Sequence, residues 1–322
     1  MIKLIDAFFL TRPLLLIPVW GFSVFGFYRG FLSQGHKWNY GFGFDRQTLI
    51  FFLWMAVFSL SVASVYVLNQ IADVEVDKEN KGLPLLAKGK VGMKTAWACA
   101  IVCAAVSVIA PLYHHPILSV CSVSALLTGI VYSFRPFYFS GRCFFDFISN
   151  AAGYGIIAFG AGWYFSGAHF AGFTFAESTI PYFLLMCAGS ISSTLPDYDG
   201  DGKCGKKTTA VTIGRCASHI MAMFILASAA LISIMLKDHV AFICAACTFP
   251  FYIVYLLRPK EIFMEATYKA GGALCMSVAC VIMPLIAVAA CLTAVSTWIY
   301  FKLRYNVNYP SLVQSTEGGL EK

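Results

Sequence analysis

The chain of 322 residues is 59% hydrophobic and only 12% charged, with a net charge of +7 and a mean hydropathy of +0.74. Soluble domains carry roughly 25% charged residues, so a soluble globular chain is excluded and a polytopic membrane protein is implied. The twelve cysteines are scattered without framework spacing and read as reduced, buried residues. Cys244 and Cys247 form a CxxC pair, but in mid-span with no basic neighbour.

Nine apolar stretches follow one another, at 10–32, 48–70, 94–113, 116–136, 144–166, 179–196, 216–236, 239–257 and 271–301. Each is near the ~20 residues of a membrane span, and runs of this length satisfy their backbone groups in lipid only as helices. The expected fold is all-α, a polytopic bundle of about nine transmembrane helices. It forms one membrane-embedded domain over 1–301, followed by a polar, partly unstructured tail over 302–322. The first run carries Arg12 and Pro13 early, is too long for a signal h-region and lacks a clear cleavage site, so it reads as a span. Trp38, Tyr40 and Tyr300 lie near span ends, as in an interfacial belt.

Loops after the even-numbered spans hold fourteen Lys and Arg, whereas those on the other side hold four. The positive-inside rule then puts the N-terminus in the cytoplasm, most simply at the cell membrane, and nine spans put the C-terminus outside.

The second span ends in Asn69-Gln70-Ile71-Ala72-Asp73-Val74-Glu75-Val76-Asp77. Asn69, Asp73 and Asp77 are four apart, so a helix sets them on one face with a drift of about 40° per step. Glu75 falls on a different face. The sixth span is followed by Asp197-Tyr198-Asp199-Gly200-Asp201, on the same expected side of the membrane. Carboxylates at membrane depth are costly and line cavities or pathways. Two such clusters suit Mg²⁺ held against phosphate oxygens, with neighbouring lysines as phosphate partners. An acidic helix end beside a basic interfacial loop is the plainer alternative. It accounts for the lysines but not for two acidic clusters at matching depth. His114 and His115 lie in a short loop far from the acids and read as surface residues.

Asn69 to Asp77 with the Asn-Lys and Leu-Pro-Leu that follow, and Leu195 to Asp201 with Gly205-Lys206-Lys207-Thr208-Thr209, resemble the two aspartate motifs of the UbiA superfamily of intramembrane prenyltransferases. The first looks most like the homogentisate prenyltransferase branch. Arg12-Pro13, Tyr132 to Arg135-Pro136 through Arg142 to Asp146, and Asn150 to Gly155 resemble further family segments. The likeness covers residues 12 to about 215. It implies a helical bundle around a central cavity, Mg²⁺ as cofactor, an isoprenyl diphosphate donor, a lipophilic or aromatic acceptor reached from the membrane lipids, and no nucleic acid. On matching positions, Asp73, Asp77, Asp197 and Asp201 become the metal-binding and catalytic residues. Asn69, Lys81, Arg142 and Lys207 become diphosphate partners. Tyr132 and Asp146 become substrate-binding residues, with Tyr132 and Tyr154 as aromatic faces toward a carbocation. Arg142, Asp146 and Asn150 are four apart and would align on one helix, either as an acceptor pocket or as a salt bridge and cap. Gln70 stands where many relatives have Asp.

Two other functions use the same residues. A terpene cyclase of the same fold would share the metal and the ionisation. A transporter would place its acids near the bilayer midplane on broken helices, whereas these acids lie at one face beside basic loops.

Overall fold

The computed structural model describes residues 2–39, 46–79, 84–170 and 173–310. Regular structure among them is helical, and the one β-type contact is an isolated bridge between Arg142 and Lys207. The helices are α1 (Ile2–Leu10), α2 (Leu16–Ser33), α3 (Arg46–Ala72), the short α4 (Val74–Glu79) and α5 (Pro84–Ala87), α6 (Met93–Ile109) and α7 (Pro116–Ser133). Next come α8 (Phe145–Ala152), which runs through a π-helical segment (Gly153–Ala158) into α9 (Phe159–Phe165), then α10 (Phe173–Thr194) and the short α11 (Tyr198–Lys203) and α12 (Thr209–Ile213). α13 (Arg215–Met235), α14 (His239–Leu257), α15 (Glu261–Ile282) and α16 (Leu285–Tyr305) complete the set. Six helical segments combine the length and hydropathy of a membrane span: Leu4–Ser33, α3, α7, α13, α14 and α16. The chain is an integral membrane protein.

Without water to drive helices together, close packing in lipid depends on small residues that let backbones approach. Gly26 on α2 and Gly162 on α9 serve this. A Cβ on Gly26 would sit 1.9 Å from the Phe159 carbonyl oxygen, and one on Gly162 would sit 1.8 Å from that of Ser23. The Ser23 hydroxyl donates to the Ala158 carbonyl at 2.9 Å across the same seam. Trp163, Tyr182, Phe25 and Phe159 fill the core around it, all fully buried.

The expected span at 271–301 is two helices. Pro284 has no N–H and disfavours a helical residue before it, and Met283 is extended at φ −132°. The Ile282 carbonyl accepts a hydrogen bond from the Trp38 indole at 3.2 Å instead. The first turns of α15 escape a hydropathy reading because Glu265 and Lys269 interrupt the apolar pattern. They pair with each other at 2.8 Å one turn apart.

This break reverses one expectation. α16 runs back across the bundle, and its end meets α1: the Tyr300 hydroxyl donates to Asp6 at 2.6 Å, Arg304 donates to Asp6 at 2.7 Å, and Phe9 stacks on Tyr300 at 3.8 Å. Both ends of the described chain thus lie at one end of the bundle, not at opposite ends. The polar segment beyond 301 also begins as helix, through Tyr305, and Val307 and Tyr309 pack into the cluster around Phe9 and Leu10.

Replacing Gly26 or Gly162 with Ala is expected to cost about 1–3 kcal/mol, because backbone rather than a yielding side chain meets the new methyl. Gly189→Ala, where nothing lies within 4 Å, serves as control. Melting of the detergent-solubilised variants checks this, and equal midpoints for all three would show that the seam tolerates separation.

Candidate active site

Asp73 lies where α3 gives way to α4. The i,i+4 backbone bonds nevertheless continue, Asp73 N to Asn69 O at 2.9 Å and Asp77 N to Asp73 O at 2.8 Å, so the three polar residues keep one face. Glu75 points away, 83% exposed and paired with Lys78.

The second cluster comes from the end of α10. Pro196 stops that helix, Asp197 precedes α11, and Asp201 lies within α11, buried. Gly205 then adopts φ +73°, a conformation that suits a residue without Cβ. The Lys206 N–H donates to the Asp201 carbonyl at 2.9 Å, which turns the chain back toward α3.

The two clusters meet through Lys206. Its ammonium lies 2.9 Å from Asp73 Oδ2, with both side chains 8% exposed. Asp73 also accepts from Asn69 at 3.3 Å and from the Tyr138 hydroxyl at 3.3 Å. Asp77 pairs with Arg12 at 3.5 Å. Arg12 stands in a left-handed turn at φ 52°, and its Nε is buried with no hydrogen bond among the described residues.

Burial pushes the Asp197 carboxyl up to about 6, helped by the negative charges of Asp201 and Asp77 and opposed by Lys206 and Arg12. Asp77 is likewise raised, first by burial and then by Asp73, against Arg12 and Lys206. Burial alone would lower the Lys206 ammonium, but Asp73, Tyr138 and Asp201 outweigh it and hold its pKa above the ordinary value. Arg12 pairs with Asp77 and Lys206 with Asp73, while Asp197 adds a carboxylate at the exposed rim beside Asp201. An oxygen-only donor set of this kind fits a hard divalent cation. Among the described residues no three carboxylates already converge on one point. That suits Mg²⁺, which takes one or two carboxylates and fills its octahedron with waters and phosphate oxygens.

The remaining candidates separate. Lys207 is exposed and engaged through its backbone, its N–H donating to Gly141 O at 3.0 Å. Successive side chains of an extended segment point opposite ways, so Lys206 rather than Lys207 reaches the acids. Arg142 precedes α8 in extended conformation and donates to the Pro136 carbonyl at 2.7 Å. Asp146 accepts from the Thr209 N–H at 2.7 Å, the Thr209 hydroxyl at 2.5 Å and the Phe147 N–H at 2.9 Å. Asn150 donates to Ser190 at 3.0 Å. Asp146 and Asn150 share a face of α8 as expected, but Arg142 stands outside it because α8 begins only at Phe145, and Asp146 ties this region to the loop that carries Lys206. Tyr132 lies within electrostatic reach of Lys206, Asp146, Asp73 and Asp201. Tyr154, on the π-helical segment, hydrogen-bonds Tyr66 at 2.5 Å, and Tyr66 donates to the Leu15 carbonyl. Asp199 is exposed on Arg215 at 2.7 Å. Lys81 lies outside the described residues. Cys244 is buried and Cys247 exposed, so the CxxC pair does not face one site. The sequence reading missed Lys206, Tyr138 and Tyr66; the run Gly205-Lys206-Lys207 signalled only that one lysine there mattered.

The UbiA prenyltransferase family model matches residues 30–261. The chain belongs to this family. It is 30% identical over 156 residues to the 2-acylphloroglucinol 4-prenyltransferase of Humulus lupulus (46% of this chain, 37% of that one). It is 30% identical over 184 residues to the digeranylgeranylglyceryl phosphate synthase of Sulfolobus acidocaldarius (56% of this chain, 64% of that one). The chain thus spans less than two thirds of the length of either relative. Its fold is that of a UbiA homolog from Archaeoglobus fulgidus solved with GPP and Mg²⁺, at TM-score 0.63 and 20% identity, over 87% of this chain and 99% of that one.

The raised Asp197 sets a pH dependence. Its folded-state pKa of about 6 lies above the ordinary 3.8, so its protonated form favours the fold below 3.8 and that advantage is lost as pH rises through 6. Ionised Asp197 is therefore the less favoured form in the fold at neutral pH, and a divalent cation beside it would offset the repulsion from Asp201 and Asp77. Mg²⁺ with diphosphate is expected to raise the melting midpoint more at about pH 7.5 than at about pH 5.5. A shift of equal size at both would remove Asp197 from the binding set.

Proposed function

We propose that this membrane protein transfers an isoprenyl group from a prenyl diphosphate to a lipophilic or aromatic acceptor within the bilayer, releasing diphosphate. The observation that carries this reading is the convergence of both acidic motifs on Lys206, which builds a charged, water-poor site at one end of an apolar bundle. The family match and a homolog solved with GPP and Mg²⁺ support the donor class. The relatives' names span an aromatic and a glyceryl phosphate acceptor, in line with the acceptor class.

Asp73, Asp77, Asp197 and Asp201 are the residues suited to hold Mg²⁺. When bound, the ion would neutralise charge on the departing diphosphate. Lys206 and Arg12 supply fixed positive charge beside it, already oriented by Asp73 and Asp77, so little reorganisation accompanies the reaction. Asn69 and Tyr138 hold Asp73 in register. The allylic carbon–oxygen bond breaks with its electron pair leaving on the diphosphate, the acceptor's nucleophilic atom bonds to that carbon, and the acceptor's proton passes to solvent or a nearby base. Tyr132, within electrostatic reach of Lys206, and the hydrogen-bonded pair Tyr66 and Tyr154 are the rings suited to stabilise cationic carbon and keep water away. The membrane-embedded helices act as one domain. The lysine-rich loops support a cytoplasmic position for this end of the bundle.

Purified protein with Mg²⁺, a labelled prenyl diphosphate and a panel of phenolic and lipid acceptors tests the reading by mass spectrometry of the products. A prenylated acceptor is the expected result. A cyclic hydrocarbon formed efficiently from the diphosphate alone would replace the transferase with a cyclase. Asp73→Asn and Asp197→Ala are each expected to lower turnover by about 100-fold or more while the fold survives, since Asn keeps an acceptor for the buried Lys206 and Asp197 lies at the exposed rim of the site. Wild-type turnover in either variant would exclude that residue from the chemistry.

A further inference from the structure

The family model ends at residue 261, so α16 lies beyond the matched residues. α16 returns to the end of the bundle that carries the acidic clusters and grips α1 there. Asp6 is buried, 4% exposed, and takes hydrogen bonds from Tyr300 at 2.6 Å and Arg304 at 2.7 Å, while Phe9 stacks on Tyr300 at 3.8 Å. Beyond α16, Val307 and Tyr309 pack into the same cluster.

α1 is nine residues long, too short to hold helical form in isolation. It leads directly into Arg12. A non-glycine residue in the left-handed region costs roughly 1–2 kcal/mol and persists only where its surroundings over-determine it. One flank of this turn is fixed by Pro13, the other by α1, whose last carbonyl, that of Leu10, also accepts from Gln70 of α3 at 2.8 Å. In that conformation Arg12 reaches Asp77 at 3.5 Å, with its buried Nε carrying a hydrogen atom that no described group accepts. Tyr309 lies within electrostatic reach of the same guanidinium.

We propose that Asp6, Tyr300 and Arg304 are positioning residues for the donor's diphosphate: α16 fixes α1, and α1 fixes the Arg12 turn against the site. This rests on the diphosphate reading above and adds a part of the chain outside the family match to the machinery. The clamp touches no reacting atom and acts through Arg12 alone.

The test is a double-mutant cycle on the full chain in detergent, with Mg²⁺ and inorganic diphosphate as the probe and calorimetry as the readout. Asp6→Asn, Arg304→Gln and Arg12→Ala are each expected to weaken binding by about tenfold, equivalent to about 1.4 kcal/mol. Asp6→Asn combined with Arg12→Ala is expected to bind no more weakly than Arg12→Ala alone, because the clamp then has nothing left to position. If Asp6→Asn fails to fold, Tyr300→Phe removes a single hydroxyl and enters the same cycle. Additive losses, or full affinity in folded Asp6→Asn and Arg304→Gln, overturn the proposal while leaving the diphosphate reading intact. A parent protein that does not bind Mg²⁺ with diphosphate overturns that reading, and this one with it.

Discussion

A buried ion pair between residues 133 positions apart, Lys206 and Asp73, joins the two halves of the site. Removing two charges from water costs several kcal/mol per ion, and the attraction repays this only with good geometry and further hydrogen bonds. Asp73 has both, with Asn69 and Tyr138 as additional donors. Each surrounding feature serves to deliver Lys206 to that position. Gly205 provides the turn, Lys207 anchors the backbone to Gly141, and Thr209 locks the loop onto Asp146. Apolar contact is non-directional and would not choose one lysine from two adjacent ones. The hydrogen-bonded loop pair does.

The same place gathers several carboxylates, and their mutual repulsion works against stability. Ionised Asp197 stands close to Asp201 and Asp77, whose negative charges help to raise its carboxyl. The rest of the bundle offsets this with tightly packed seams such as the one at Gly26 and Gly162. Clustered carboxylates set on a rigid apolar scaffold are what a site must have if its ligand is to complete the charge balance.

What was legible in the sequence follows from periodicity. The alignment of Asn69, Asp73 and Asp77 survives the irregularity at Asp73 because the i,i+4 bonds do. The pairing of the two acidic motifs was legible from their shared expected side. Lys206 was not separable from Lys207, because only the orientation of one extended segment distinguishes them. The alignment of Arg142 with Asp146 failed for a related reason: helical spacing means nothing until the helix start is known, and α8 starts between them. Within 271–301 the breaking signal, Pro284, was present, but hydropathy is blind to it. The charges of Glu265 and Lys269, neutralised by each other, concealed the true start of α15.

The change from nine long stretches to a chain that folds back once more bears on which end faces the cytoplasm. With nine spans, Lys302 and Arg304 counted against the positive-inside assignment. Because α16 ends beside α1, they join the basic residues around the acidic clusters, such as Arg12 and Lys206. At the other end, Arg29 is drawn inward to Asp238, which is 1% exposed and also accepts from Tyr182 and from the Ala241 N–H at the start of α14. That arginine serves to close a helix junction rather than to meet lipid headgroups. The asymmetry in free basic charge between the two ends is therefore steeper than the loop count implied. The positive-inside rule depends on where cations end up and not on how many helices lie between them, so the return of α16 changes the C-terminal expectation without touching the loops on which the rule was read.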